Sequence, residues 1–290
     1  MAAPEADGIA RVKPLLGTLV HIRVEGLSAD TATQAIDAAF AEIAALHRLM
    51  SFHDANSDLS RLNMEGTRTP VTLDSRTYHV LQTAIDVSRH SDGAFDPCIG
   101  DVLVRRGLLP APQTRLHDAP GDWRCIELLT QNRARLHQPA WIDLGGIAKG
   151  YAVDRAIAIL ARFHPTQACV NAGGDLRVWG GHVERTRLET EMIETDVPVV
   201  DLCDESLASS RGAMPDRDAR DRTAPHVATH PDYARPLRFA SVIAPHCIHA
   251  DALTKVVMAK GHDAAPLLHR YQAHALMRDH SGWYEIARHI

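Results

Sequence analysis

The 290-residue chain has five cysteines, at positions 98, 125, 169, 203 and 247, but no Cys-x-x-Cys pair. The odd count argues against a purely intramolecular disulfide framework and favours reduced thiols. No stretch approaches the roughly 20 consecutive apolar residues that a membrane helix needs. The N-terminal Met1-Ala-Ala-Pro-Glu-Ala-Asp has neither a basic segment followed by an apolar run nor a lipobox-like cysteine, so no secretory signal is read there. These absences lead to the expectation of a cytoplasmic protein without a membrane segment. Basic runs and basic patches interleaved with aromatics are also missing, and the formal net charge is −5, which speaks against nucleic acid as a partner. Repeats at solenoid periods and low-complexity tracts are absent as well. The remaining composition is ordinary, 45% hydrophobic and 23% charged, in a chain long enough for a sizeable core.

Chemistry concentrates in Trp141-Ile-Asp-Leu-Gly-Gly-Ile-Ala-Lys-Gly-Tyr-Ala-Val-Asp154. Trp141-Ile142 ends a short strand, and Gly145-Gly146 forms a turn expected to need unusual dihedrals. Ala148, Ala152, Ala156, Ile159 and Leu160 then recur at helical spacing. A strand, a glycine turn and a helix start leave backbone N–H groups unpaired at the positive end of a helix dipole, where an anion can come close to the main chain. Lys149 adds a positive charge in the first helical turn, a place that disfavours a cation unless something anionic lies opposite. That combination points to phosphate. Gly150 lies one turn before Asp154, so this acid is expected to reach over bare backbone toward a ligand donor.

Two further stretches repeat the theme. Cys169-Val-Asn-Ala-Gly-Gly-Asp175 is an apolar strand running into Gly-Gly and an acid, followed by alternating Leu176-Arg-Val-Trp179. Ala250-Asp-Ala-Leu-Thr-Lys255 sets an acid and a hydroxyl three residues apart at the head of an apolar helix. With these, the chain resembles the ApbE family, the FAD:protein FMN transferases. The family's elements occur in order: Leu16-Gly-Thr18, Ser57-Asp-Leu-Ser-Arg-Leu-Asn63, Gly93-Ala-Phe-Asp-Pro97, the Asp143–Asp154 motif, Asn171-Ala-Gly-Gly-Asp175 and Ala250-Asp-Ala-Leu-Thr254.

The resemblance implies an α+β fold, an antiparallel sheet with packed helices and a central flavin cleft, in a single domain over residues 1–290. It implies magnesium-dependent transfer of FMN from FAD to a threonine or serine of an acceptor protein, with release of AMP. Asp143, Gly146, Lys149, Asp154, Asn171 and Asp175 would line the FAD cleft, with Lys149 on phosphate and Asp154 or Asp175 on adenosine or ribose. The 57–63 segment would lie beside the isoalloxazine, although by itself it reads as a capped surface helix. Magnesium would be held by Asp251, the Thr254 hydroxyl and a backbone carbonyl near Ala148, an oxygen set that suits this ion. Asp251 and His226 are the catalytic candidates, with His230 second to His226 in the degraded His226-Val-Ala-Thr-His-Pro231 segment. Many relatives carry the ligating threonine four residues after the aspartate, where this chain has Lys255; that lysine either turns away from the cleft to reach solvent, the option favoured here, or stands in for part of the metal's charge on the pyrophosphate. Two other readings remain open, an FAD pyrophosphatase giving FMN and AMP and a flavin-binding protein without catalysis. Zinc at His226/His230 or His246-Cys247-His249 ranks below these, because neither set has the ligands of a closed zinc site.

For the remaining chain, Thr18–Val24 is β-rich. Ser28 or Asp30 caps a helix from 29 to 50, and Asp74 or Ser75 caps another to about Arg89. Asp96 precedes Pro97 and should accept local backbone N–H bonds, a structural duty. Residues 108–122 read as a loop, 125–129 and 134–137 as strands joined by a Gln131-Asn132 turn. The span from 180 to 210 is charged, His182 to Glu194 shows no clear period, and Ser209-Ser210-Arg211-Gly212 opens a polar loop. Phe239–Ala244 is strand-like, a helix runs from Asp251 to about Lys260, and 273–277 with 283–286 close the chain as a hairpin.

Overall fold

The computed structural model describes residues 8–110, 120–188, 197–212, 237, 239–279 and 281–287. The chain opens with the hairpin β1 (Ile9–Leu15) and β2 (Thr18–Glu25) and then the long helix α1 (Ala29–Met50). Ser28 caps α1 by accepting from the Thr31 N–H, and Ala35, Ala39, Ile43 and Leu46 form its buried stripe. Helix α2 (Asp58–Glu65), the short strand β3 (Val71–Thr72), α3 (Ser75–His90) and α4 (Gly100–Arg105) follow. Asp74 caps α3, accepting from the Arg76 N–H at 2.9 Å. Strands β4 (Ile126–Leu129) and β5 (Arg133–Leu136) pair through a turn in which Gln131 and Asn132 both have positive φ, 60° and 54°, the geometry that a tight hairpin favours.

Helix α5 (Ala148–Ala161) leads to β6 (Gln167–Ala172) and β7 (Asp175–Trp179). Next come β8 (Glu184–Arg187), β9 (Val199–Leu202), β10 (Ser206–Arg211) and β11 (Phe239–Ala244). Helices α6 (Cys247–Lys260) and α7 (Ala265–Arg270) precede the closing hairpin β12 (His274–Arg278) and β13 (Trp283–Ile286). The main sheet has eight strands in the order β1-β2-β6-β7-β10-β11-β12-β13, with every pairing antiparallel.

The α+β expectation thus holds, and α1, α5 and α6 cover one face of this sheet. Their core joins Val20, Ile22 and Val170 from the strands to Ile43, Ala152, Ala156, Leu253 and Val257 from the helices. On the opposite face a smaller cluster, including Leu176, Val178, Leu207 and Phe239, is closed by Leu188 and Leu202 next to and within the β8–β9 ribbon.

Three expectations need correction. Ser209-Ser210-Arg211 does not open a loop; it completes β10, because the serine hydroxyls find partners inside the fold, Ser209 with Ser241 at 2.6 Å and Ser210 with Thr254 at 2.7 Å. The charged 180–210 span contains β8, inside the stretch read as without a period, and β9; the two form a separate two-stranded ribbon whose residues are mostly half-buried or exposed. Helix α6 starts at Cys247, one turn before Asp251.

Candidate functional site

The turn before α5 is fixed from both sides. The Gly100 N–H donates to the Trp141 carbonyl and the Asp143 N–H to the Pro97 carbonyl, each at 2.8 Å. The buried Asn63 amide accepts from the Ile142 N–H at 2.8 Å and donates to the Ile142 carbonyl at 2.9 Å. Asp96 supports the neighbouring turn as expected, accepting from the Cys98 N–H at 2.8 Å and the Trp123 N–H at 3.3 Å.

Trp141-Ile142, expected to end a short strand, lies in no strand and is held by the bonds to Gly100 and Asn63. After it the Asp143 carboxylate accepts from the Gly145 N–H at 2.9 Å, and the Ala148 N–H donates to the Leu144 carbonyl at 2.8 Å to start the helix. Contrary to expectation, neither Gly145 nor Gly146 has a positive φ; the unusual dihedrals belong to Gly173 and Gly174, at 66° and 95°. A Cβ on Gly173 would lie 2.4 Å from the Thr18 hydroxyl, so the β6–β7 turn packs directly on the β1–β2 hairpin.

Gly150 serves another purpose than expected. A Cβ there would stand 2.2 Å from the Cys247 carbonyl oxygen, so the missing side chain lets α6 cross α5 at close range. The Gly150 N–H donates to Asp251 Oδ2 at 3.0 Å across this crossing. Asp154 seals it one turn later. Its oxygens accept from the Cys247 N–H at 3.0 Å, the Ile248 N–H at 2.9 Å and the Arg177 guanidinium at 2.5 Å. Asp154 is therefore the cap and counter-charge of the α6 N-terminus, and the bare backbone it was expected to reach across is covered by that helix.

The same crossing gathers a compact charge cluster. Lys149 Nζ donates to Asp175 Oδ2 at 2.6 Å, and Lys255 Nζ pairs with Asp251 Oδ1 while also donating to the Asp251 carbonyl at 3.0 Å. The side chains of Asp175, Asp251 and Lys255 are 1%, 0% and 8% exposed, against 31% for Lys149, so Lys149 is the member that reaches the surface. Burial opposes the Lys149 charge, but Asp175 and Asp251 outweigh it and hold its pKa above the ordinary lysine value. Burial, reinforced by Asp251, pushes the Asp175 carboxyl up. For Asp251 burial is outweighed by Lys255 and Lys149, which hold its pKa below the ordinary carboxylate value. The expectation that Lys255 reaches solvent is corrected: the pull of a buried carboxylate one turn back folds its stem inward.

Two clefts flank the cluster. The first, about 320 Å³, has walls that include Leu46, Met50, Phe52, Leu103 and Leu108, with Asp143, Gly145, Ala148 and Lys149 along one side. Gly146 is buried and Gly145 takes the lining position. The second, about 430 Å³, is more polar and is lined by Thr18, Asn171, Gly173, Gly174, Arg187 and Arg211 among others. Asn171 shapes it by accepting from the Gly174 N–H at 3.0 Å. Lys149 lines the first cleft, while its partner Asp175 is buried and lines neither; Gly173 and Gly174, just before Asp175 in the chain, line the second.

The three sequence motifs thus converge at one place. Asn63, Arg177 and Ser210, whose roles the sequence did not assign, join them there. His226 and His230 lie outside the described residues. Among the described residues no group of three or more His, Cys, Asp or Glu side chains is arranged to hold a metal, His246, Cys247 and His249 included.

A profile of the ApbE family matches residues 16–277. The chain belongs to the ApbE family. The FAD:protein FMN transferase of Chlamydia pneumoniae is 25% identical over 243 residues, 78% of this chain and 75% of that protein. The same-named protein of Haemophilus influenzae is 27% identical over 188 residues, 58% of this chain and 54% of that protein, so here the match spans about half of the relative. Among ApbE structures, the Thermotoga maritima protein superposes with a TM-score of 0.78 at 23% identity, covering 97% of both chains. The Vibrio cholerae flavin transferase gives 0.79 at 21% identity over 97% and 96% of the two chains. At these identities the structures establish the fold. No helix among the described residues is long and apolar enough to cross a membrane.

Proposed function

We propose that this ApbE protein transfers FMN from FAD to the hydroxyl of a threonine or serine in an acceptor protein and releases AMP. The observation that carries the reading is Lys149, partly exposed in the first turn of α5, held by Asp175 and lining the apolar cleft, while the Gly173-Gly174 turn just before Asp175 lines the polar one. A dinucleotide has this same layout: a flat apolar ring, a central diphosphate and a polar nucleoside. The isoalloxazine fits the cleft walled by Leu46, Met50 and Phe52, the diphosphate lies over Lys149 and the α5 N-terminus, and the adenosine side enters the cleft of Asn171, Gly173 and Gly174.

In the reaction the acceptor oxygen forms a bond to the phosphorus on the riboflavin side. The bond from that phosphorus to the bridging oxygen breaks, the bridging oxygen departs with AMP, and the acceptor's proton passes to a base. His226 is our proposed base. Lys149 stabilises the charge developing on the phosphoryl oxygens, and it needs no reorganisation because Asp175 already holds it.

The magnesium expected at Ala148, Asp251 and Thr254 does not fit these donors. Asp251 Oδ2 is bonded to the Gly150 N–H and Oδ1 to the Lys255 ammonium. The Thr254 hydroxyl donates to the Asp251 carbonyl at 2.7 Å and meets Ser210 at 2.7 Å. No step is therefore routed through a metal. A reducing, cytoplasmic setting is supported by the free thiols of all five cysteines.

The test is AMP formation from FAD with and without candidate acceptor proteins. Transfer requires AMP to appear only with a competent acceptor. AMP and free FMN formed in its absence would instead establish the pyrophosphatase reading.

A further inference from the structure

A divalent ion approaching Asp251 Oδ1 meets an ammonium already in contact with it. Lys255 lies one helical turn after Asp251 on α6, and its Nζ is held twice, by the carboxylate and by the Asp251 carbonyl at 3.0 Å. The four buried or half-buried charges balance, two carboxylates (Asp175, Asp251) against two ammoniums (Lys149, Lys255). Adding a divalent ion would leave this poorly solvated cluster with two excess positive charges, or would require Lys255 to swing out of a position where its side chain is 8% exposed. One carboxylate oxygen stands apart: Asp175 Oδ1 is buried and has no hydrogen-bond partner. It is a single unmet acceptor beside two lysines, and by itself lacks the several oxygens that magnesium takes from a protein and its substrate.

We infer that Lys255 is an internal cation that occupies the metal position on Asp251, so that the site holds its substrate without a divalent ion there. Lys255 acts through Asp251 as a positioning residue. Its ammonium holds one oxygen of the carboxylate, the other oxygen holds the Gly150 N–H, and that bond ties α6 to the first turn of α5 where Lys149 projects. Only the consequence for FAD rests on the flavin-transfer reading; the occupancy of Asp251 does not.

The experiment titrates Mn2+, followed by the EPR signal of the free ion, into chelator-treated native protein, Lys255→Thr, Lys255→Met and Asp251→Asn, all without flavin. The native chain should show no saturable binding that Asp251→Asn removes. Lys255→Thr should gain one Mn2+ per chain, at least about tenfold tighter than any native binding. Lys255→Met, which keeps most of the stem without the charge, serves if the threonine variant does not fold. Stoichiometric Mn2+ binding by the native chain, lost in Asp251→Asn, would overturn the inference. So would a folded lysine variant that gains no binding, since Lys255 would then not be what keeps the ion out. Mn2+ results as expected together with no AMP formation from FAD in the presence of candidate acceptor proteins would sink the transferase reading and leave the occupancy of Asp251 intact.

Discussion

Asn63 and Ile142 lie far apart in sequence, yet the Asn63 side-chain amide pairs with both backbone groups of Ile142, at 2.8 and 2.9 Å, as a neighbouring strand would. The segment that delivers Asp143 and the glycine turn is therefore held by a side chain from α2. Replacing Asn63 with Leu leaves a buried N–H and a buried carbonyl unmet. The expected loss is about 2–3 kcal/mol in urea unfolding. FAD affinity should fall with it, because the turn loses its anchor. An Asn63→Leu variant of native stability would refute the clamp.

Gly150→Ala tests the crossing of α5 and α6. Alanine is the better helix former by about 1 kcal/mol. Its Cβ, however, must displace backbone, the Cys247 carbonyl oxygen at 2.2 Å, and then Asp251 Cβ at 2.8 Å. Overpacking wins, and the variant should lose about 2 kcal/mol net in the same unfolding measurement. A stabilised variant would show that the helices can separate without cost.

Lys149→Ala removes the surface-reaching cation and leaves Asp175 Oδ2 without its partner. FAD binding should weaken by about 1–3 kcal/mol, the scale of a lost charge-assisted hydrogen bond. Riboflavin, which has no phosphate, should lose much less. Calorimetric titrations of the two ligands separate the cases, and an equal loss for both would remove the phosphate role.

Asp96 predicts a pH dependence. Burial raises its pKa to about 6, against the bonds from the Cys98 and Trp123 N–H groups, which lower it. The folded state then holds its proton more tightly than the unfolded chain. The associated stability is complete below the unfolded value of 3.8 and is lost as pH rises through about 6. Asp96→Asn should flatten the stability profile across that window by on the order of 2 kcal/mol. An unchanged slope in Tm against pH would contradict the assignment.

Much of this was legible in the sequence because the signals were local. Ser28 and Asp74 announced their helices, Gln131-Asn132 its hairpin, and the two glycine-and-acid motifs with the Asp251–Thr254 stretch the place where α5, the β6–β7 turn and α6 meet. What stayed hidden depended on partners distant in sequence. Ser209 and Ser210 look like loop residues until Ser241 and Thr254 satisfy them, and β8–β9 is a separate two-stranded ribbon whose inward face, Val200 and Leu202, is too short to read as a period. Gly150 looked like bare backbone beneath a ligand because nothing nearby in sequence predicts that α6 crosses there. Lys255 is the sharpest case. A lysine in an apolar helix normally sends its charge to solvent, and only the buried carboxylate of Asp251 reverses the choice.

The central claim is that a protein hydroxyl takes the FMN. Its most direct measurement is the intact mass of a candidate acceptor protein after incubation with this chain and FAD, followed by the same reaction on the acceptor with its target threonine or serine replaced by alanine or valine. The account predicts a mass gain of one FMN per acceptor, matched by one AMP, and abolished by the replacement. AMP and free FMN accumulating while every acceptor keeps its original mass would contradict it.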